Sequence, residues 1–424
     1  MDYSQRRLEG HPRLESVALP IMQFLRDQLD APSRAERYRQ AFIVPPPPEL
    51  RINPNLNNWS NFNPSGGKIL RVGTNEAIPT IAAAAKLAKD GDIVEIQAGE
   101  YHGDVAQWPQ KSLTIRGVGG HARIIAAGQN VAGKGIWVIQ NGNFTVENID
   151  FIGARVYDKN GAGIRFENGQ LTVRNCLFYD NQNGILANSS ANSTVQIENS
   201  EFGYNGSGDG LSHNVYVGQV ASLTVTGSYF HHANIGHLLK SRAAKNDIRY
   251  NRITDEDGGR ASYELDLPNG GVSLVIGNLI QQTRATENST IIAFGEEGYA
   301  WPNNALYLSN NTIVNDHPHG GAFLRAALGA KIITANNLLV GPGKYHSPQA
   351  INSLNDAHVT WSAFVQPSRY DYRLKKEENP PYFQATDAFA KHQNDLVPSN
   401  EYKHPLHLQR LISPPRFAGA LQMP

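Results

Sequence analysis

The chain has 424 residues, with 38 Lys plus Arg balanced by 38 Asp plus Glu, so whole-chain charge gives no reason to expect nucleic acid or an anionic membrane surface as partner. A single cysteine, Cys176, excludes an internal disulfide framework. Thirty-nine glycines and 24 prolines against three methionines favour turn-rich β architecture over a helical bundle.

The opening residues MDYSQRRLEGHPRLESV lack the apolar run of a secretion signal, and no stretch is long enough to span a membrane. An extracellular or periplasmic location would require a leader that has been removed. Over residues 11–43, Val17, Ile21, Phe24, Leu25 and Leu29 recur near helical spacing and predict a helical arm, kinked or restarted at Pro20. VPPPPELRINPNLNNWSNFNPSGG then reads as a proline- and asparagine-rich linker, placing the first boundary near residue 66.

From residue 67 to 345, short β-branched runs alternate with Gly, Asn and Asp, interrupted only by a helical TIAAAAKLAK at 80–89. A pattern of β-branched residue, polar residue, Asn and apolar pair recurs at Asn148, Asn175, Asn199, Gly227, Asn251, Asn278, Asn311 and Asn337, spaced 24–33 residues. That period is too short for propeller blades and fits an all-β solenoid, the right-handed parallel β-helix, whose turns supply one another's hydrogen bonds. The asparagines read as an internal amide ladder or a tight bend. Cys176, in VRNCLF, reads as a small buried hydrophobe. Residues 346–424 lose the repeat and are expected to pack on the coil as an irregular covering tail, as the helical segments cap its first turn.

The stretch His213 to Gly271 concentrates ionisable groups on strand-like segments. Placing aliphatics inward puts Val215, Val217, Leu239, Leu265, Leu267, Ile292, Phe294 and Leu324 in the core. It places Asn214, Tyr216, Lys240, Glu264, Asp266 and Arg325 outside, with His213 and His237 at the rim. Such a mixed-charge row suits an extended sugar chain. Three chemistries remain open. A lyase or epimerase acting on an acidic, uronate-containing polysaccharide would use Lys240 as base, with Arg242, His237 or Tyr216 as neutraliser and acid. An inverting glycoside hydrolase would use Glu264 and Asp266, which share one strand face at i and i+2. A non-catalytic carbohydrate-binding or structural β-helix would use Lys240 in a cross-strand ion pair. Tyr263 and Asn269 join His213, Asn214 and Arg325 as expected substrate contacts.

No cofactor is required by these chemistries. His231, His232 and His237 match no recognised zinc spacing, while the acidic turns GEEGY (Glu296, Glu297) and DEDGG (Asp255 to Gly259) offer oxygens suited to calcium. A polysaccharide is the expected partner, and either a monomer or a homo-oligomer fits.

LLKSRAAKNDIRYNRI resembles the alginate lyase and chondroitinase B group of polysaccharide lyases, in which a Lys-Ser pair precedes an Asn-containing ladder strand. The resemblance implies Lys240 as catalytic base. Where that group carries Arg-His-Gly one turn on, this chain has Asp266-Leu267-Pro268-Asn269-Gly270. Over residues 68–424 the repeat and the closing RFAGALQ also resemble the broad group of bacterial right-handed β-helix repeat proteins, a likeness that implies fold rather than reaction.

Overall fold

The computed structural model describes residues 41–52, 66–286, 288–375, 385 and 396–422. The expected helical arm over 11–43 falls almost wholly outside these residues, and its described end, residues 41–43, has no regular secondary structure, nor has the start of the linker up to residue 51.

Each turn of the coil contributes three short strands. Gln170–Arg174, Leu177–Tyr179 and Asn183–Ala187 form one turn; Ser190–Glu198, Glu201–Gly203 and Val215–Val217 form the next. Among the described residues the pairings between turns are parallel, for example Leu177 with Glu201 and Ile185 with Val215, with register shifts at Ser190/Thr194, Gln97/Gly99 and Ala322/Leu324. One face is a 10-stranded sheet running from Ala106–Trp108 to Lys344–His346. The other two faces join into a 21-stranded sheet, because Ile93–His102 and Ser112–Ile125 run continuously around their shared corner. The coil continues past the expected limit at 345: Asn352–Leu354 and Ala357–Val359 add a further rung.

The recurring asparagines occupy two neighbouring positions, not one. At the corner between the first two strands of a turn, Asn148, Asn175, Asn199, Gly227, Tyr250, Gly277, Asn310 and Asn336 have φ of 47–65°. This left-handed region is costly for most side chains, and Asn and Gly tolerate it best. The following residue points inward. There, Asn251 Nδ2 donates to Asn278 Oδ1 (3.0 Å), Asn278 to Asn311 (3.1 Å), and Asn311 to Asn337 (2.9 Å). Ser200 and Ser228 continue the ladder, and Cys176 occupies its next rung, fully buried. The bend and the amide ladder are thus adjacent features of one corner.

The interior is aliphatic, with Phe151, Phe178, Phe202 and Phe230 stacked at 4.7–4.9 Å between ring centres. Each such pair contributes about 0.5–1.5 kcal/mol beyond its buried area. At the first turn, helix Ile81–Leu87 buries Ile81, Ala84 and Ala85, capped by the Thr80 hydroxyl and by Asp104, which accepts from Ile81 and Ala82 N–H. The tail lies back along the 21-stranded face. Ala418, Phe364 and Tyr372 pack on Leu279, Val314 and Leu338, while Leu396 packs beside Tyr250 and Ile276.

Candidate functional site

The 10-stranded face carries the expected row. Tyr216 pairs in register with Lys240, Lys240 with Asp266, Asp266 with Ala293, and Ala293 with Arg325. Their inward neighbours Val215, Leu239, Leu265, Ile292 and Leu324 are fully buried, so packing of those aliphatics aims the polar row outward.

Lys240 Nζ lies 3.1 Å from Asp266 Oδ2 and 3.0 Å from Glu297 Oε1. Glu297, in the turn after strand Thr290–Phe294, places its other oxygen 2.6 Å from Arg242 Nη2. Arg242 also donates through Nε to the Tyr216 hydroxyl (3.0 Å) and through Nη1 to Asn269 Oδ1 (2.6 Å). Trp301 Nε1 donates to the Arg242 carbonyl (3.0 Å). Two cations thus converge on one carboxylate.

Behind them, His237 Nδ1 sits 2.9 Å from Asp266 Oδ2, and its backbone N–H donates to His213 Nδ1 (3.0 Å). Burial holds both imidazoles below the usual histidine range, His213 further because His237, Lys240 and Arg242 surround it. His213 is therefore neutral at pH 7 and carries its proton on Nε2. Burial pushes the Asp266 carboxyl upward, but His237 and Lys240 outweigh it and leave it below the ordinary range. Glu297 is lowered in the same way, with Arg242 and Lys240 overcoming desolvation. Tyr263, half-buried, stands edge-on to the His237 ring at 4.9 Å.

Two residues expected on this face lie inside. Glu264 is fully buried, with Oε2 taking a 3.4 Å contact from Gln282 Nε2, and burial followed by Asp255 drives its carboxyl well above the normal range. Asn214 is also fully buried, its amide donating to the Phe202 and His231 carbonyls. Both occupy the strand start, where the chain rounds the corner and strict alternation fails: Leu238 with Leu239, Ile291 with Ile292 and Phe323 with Leu324 are consecutive and all buried. The proposed pair of catalytic carboxyls, Glu264 and Asp266, therefore does not exist on one face.

The metal readings meet other partners. His231 lies on the 21-stranded sheet, its Nδ1 2.7 Å from His232 Nδ1 and its Nε2 3.5 Å from Glu201, whereas His237 belongs to the opposite sheet. Asp255 accepts from the Ala233 and Ala261 N–H groups, and Glu297 is neutralised by Lys240 and Arg242. Among the described residues no group of three or more His, Cys, Asp or Glu is arranged to hold a metal ion.

The sequence marks Glu297 as part of an acidic bend with oxygens suited to calcium, not as a partner of Lys240 and Arg242, and does not single out Trp301. Both sit more than 50 residues from Arg242 along the chain, so only the coil's register brings them together.

Residues 122–214 match the family model described as right handed beta helix region. No curated protein matches the chain. Among solved structures, pectate lyase Pel9A is similar at 12% identity, covering 76% of this chain and 92% of that one with a TM-score of 0.46. A mutant of the PL6 family alginate lyase AlyGC is similar at 15% identity over 70% of this chain, which spans only 40% of that chain's length, with a TM-score of 0.35. The parallel three-strand turns and the matched region together establish the fold as a right-handed parallel β-helix.

Proposed function

We propose that the outer face around Tyr216, Lys240 and Arg242 binds an acidic, carboxylate-bearing polysaccharide and cleaves it by β-elimination. The observation that carries this reading is the convergence of Lys240 Nζ and Arg242 Nη2 on the two oxygens of a single carboxylate. A uronate placed there would have its carboxylate neutralised as the proton on the adjacent carbon departs, which is where negative charge develops in such a reaction. Lys240 is engaged as a donor to two carboxylates, so the neutralising role suits it better than the base role implied by its resemblance to the lyases. Tyr216 accepts from Arg242 Nε, leaving its own phenolic proton free for exchange. One tyrosine serves as base and then acid when it enters as the phenolate, takes the departing proton and, now a phenol, gives it to a leaving oxygen on the same side of the sugar.

A second reading, a non-catalytic carbohydrate-binding face, is favoured by the same double pairing of Lys240, which also stabilises an exposed sheet. A panel of uronic-acid polysaccharides separates the two. New ultraviolet absorbance from unsaturated uronates, absent in Lys240→Ala, supports elimination. Binding without absorbance or new reducing ends supports the non-catalytic face.

A further inference from the structure

The carboxylate held by Lys240 and Arg242 belongs to the chain itself, and the two acidic partners of Lys240 are not equivalent. Asp266 is buried, with a side chain 4% exposed, and is tied to His237; Glu297 is 47% exposed. Removing Glu297 from the site would leave both cations in place. Lys240 keeps Asp266, while Arg242 keeps Tyr216, Asn269 and the Trp301 contact to its carbonyl. Each would then present an unused donor to the same point.

The backbone under Glu297 is anchored. Its N–H donates to the Pro268 carbonyl (3.1 Å), Asn269 Nδ2 donates to the Gly298 carbonyl (2.8 Å), and Tyr299 donates to the Ala327 carbonyl (2.8 Å). The turn therefore stays put, and only rotation of the Glu297 side chain is needed to open the site. Glu297 is the solvent-facing member of both pairs, so water and salt compete for its carboxylate far more readily than for that of Asp266.

We propose that Glu297 is a resident stand-in for the substrate, a built-in carboxylate that a uronate must displace before it can bind. This rests on the acidic-polysaccharide reading above and adds to it a gate and a preference for oligomers. With Glu297 in place, the charges of Lys240, Arg242, Asp266 and Glu297 cancel, so a small free anion gains little by entering. A polyanionic chain gains more, since exposed Arg325 lies three rungs from Lys240 along the same row, about 14 Å at the strand spacing. Simultaneous engagement of both places favours oligomers over single sugars.

The test is titration calorimetry of wild type, Glu297→Ala, Glu297→Gln and Glu296→Ala with hexagalacturonate and hexamannuronate, maltohexaose being the neutral control. Thermal melts confirm folding, and the Gln variant keeps the shape of the side chain while removing its charge. Both Glu297 variants are expected to bind one uronate hexamer roughly tenfold more tightly than wild type, with Glu296→Ala unchanged and maltohexaose unbound. Adding Arg242→Ala to Glu297→Ala should abolish the gain. Wild-type binding that is unchanged or weakened in both Glu297 variants would make Glu297 a structural strut and overturn the gate, leaving the acidic-polysaccharide reading intact. Absence of uronate binding in wild type and variants alike would overturn both.

Discussion

Lys240 and Asp266 face each other across one rung of the coil, in register and 3.1 Å apart, with side chains 9% and 4% exposed. An ion pair this sheltered contributes differently from one in open water, because the loss of either partner strands a charge that the fold has already removed from solvent.

Lys240→Met should therefore cost about 3 kcal/mol, leaving Asp266 with His237 as its remaining partner. The double variant Lys240→Met with Asp266→Leu should recover most of that loss. Urea midpoints for the two single variants and the double variant measure the coupling directly. Strict additivity would show that the pair is not energetically linked.

Tyr216→Phe deletes one neutral acceptor of Arg242, whose guanidinium retains Asn269 and Glu297. Stability should change by less than about 1 kcal/mol, whereas elimination on a responsive uronate polymer should slow by roughly 10²–10⁴-fold if the phenol carries the proton. An unaltered rate with intact binding would remove Tyr216 from the chemistry.

Glu264 and Asp255 form a buried acidic pair, each raised chiefly by burial and further by the other or by Glu256, with Asp255 pushed up to about 8. A carboxyl whose folded value exceeds its unfolded one holds a proton that the unfolded chain has released, so its stabilising contribution is complete below the unfolded value near 4 and is lost as pH rises toward the folded value. Stability should thus fall between about pH 4.5 and 8, by at most roughly 1.4 kcal/mol per pH unit for each group. Glu264→Gln should flatten that decline. Parallel urea midpoints for wild type and variant at pH 5 and pH 8 would contradict the assignment.

Asn278→Ala should be far more damaging than Asn199→Gly, although both belong to the same sequence pattern. Asn278 accepts from the Asn251 backbone and side chain and donates to Asn311 and to the Ile248 carbonyl, all of them buried. Its loss should cost about 3 kcal/mol or more. Asn199 is exposed at a left-handed corner with φ 47°, where glycine fits without strain, so that change should stay within about 0.5 kcal/mol. Thermal or urea unfolding of the two variants decides the matter.

The coil was legible because its period depends on packing that every turn repeats. The alternation of Val215, Tyr216 and Val217, and of Leu239 with Lys240, correctly aimed Tyr216, Lys240, Asp266 and Arg325 along one face. The same rule failed at Glu264 and Asn214 because a strand that has just rounded a corner turns two successive residues inward. The doubled aliphatics in HLL, TII and AFL record that geometry in the chain, and aligning YELDL with them would have placed Glu264 inside. Glu297 had no local signal, since its meaning comes from cations in other turns.

A stack of turns that touch only their neighbours ordinarily frays from its ends, one layer at a time. Here the returning tail crosses several layers. Ser399 N–H donates to the Tyr250 hydroxyl (2.9 Å), Ala420 N–H to Thr312 Oγ1 (3.0 Å), and Gly419 N–H to the Asn336 carbonyl (2.8 Å). Peeling away the last layer requires breaking contacts that also reach the layers beneath it. Heating or pulling should meet the C-terminal half as one mechanical block that yields in a single step, with gradual loosening confined to turns beyond the tail's reach.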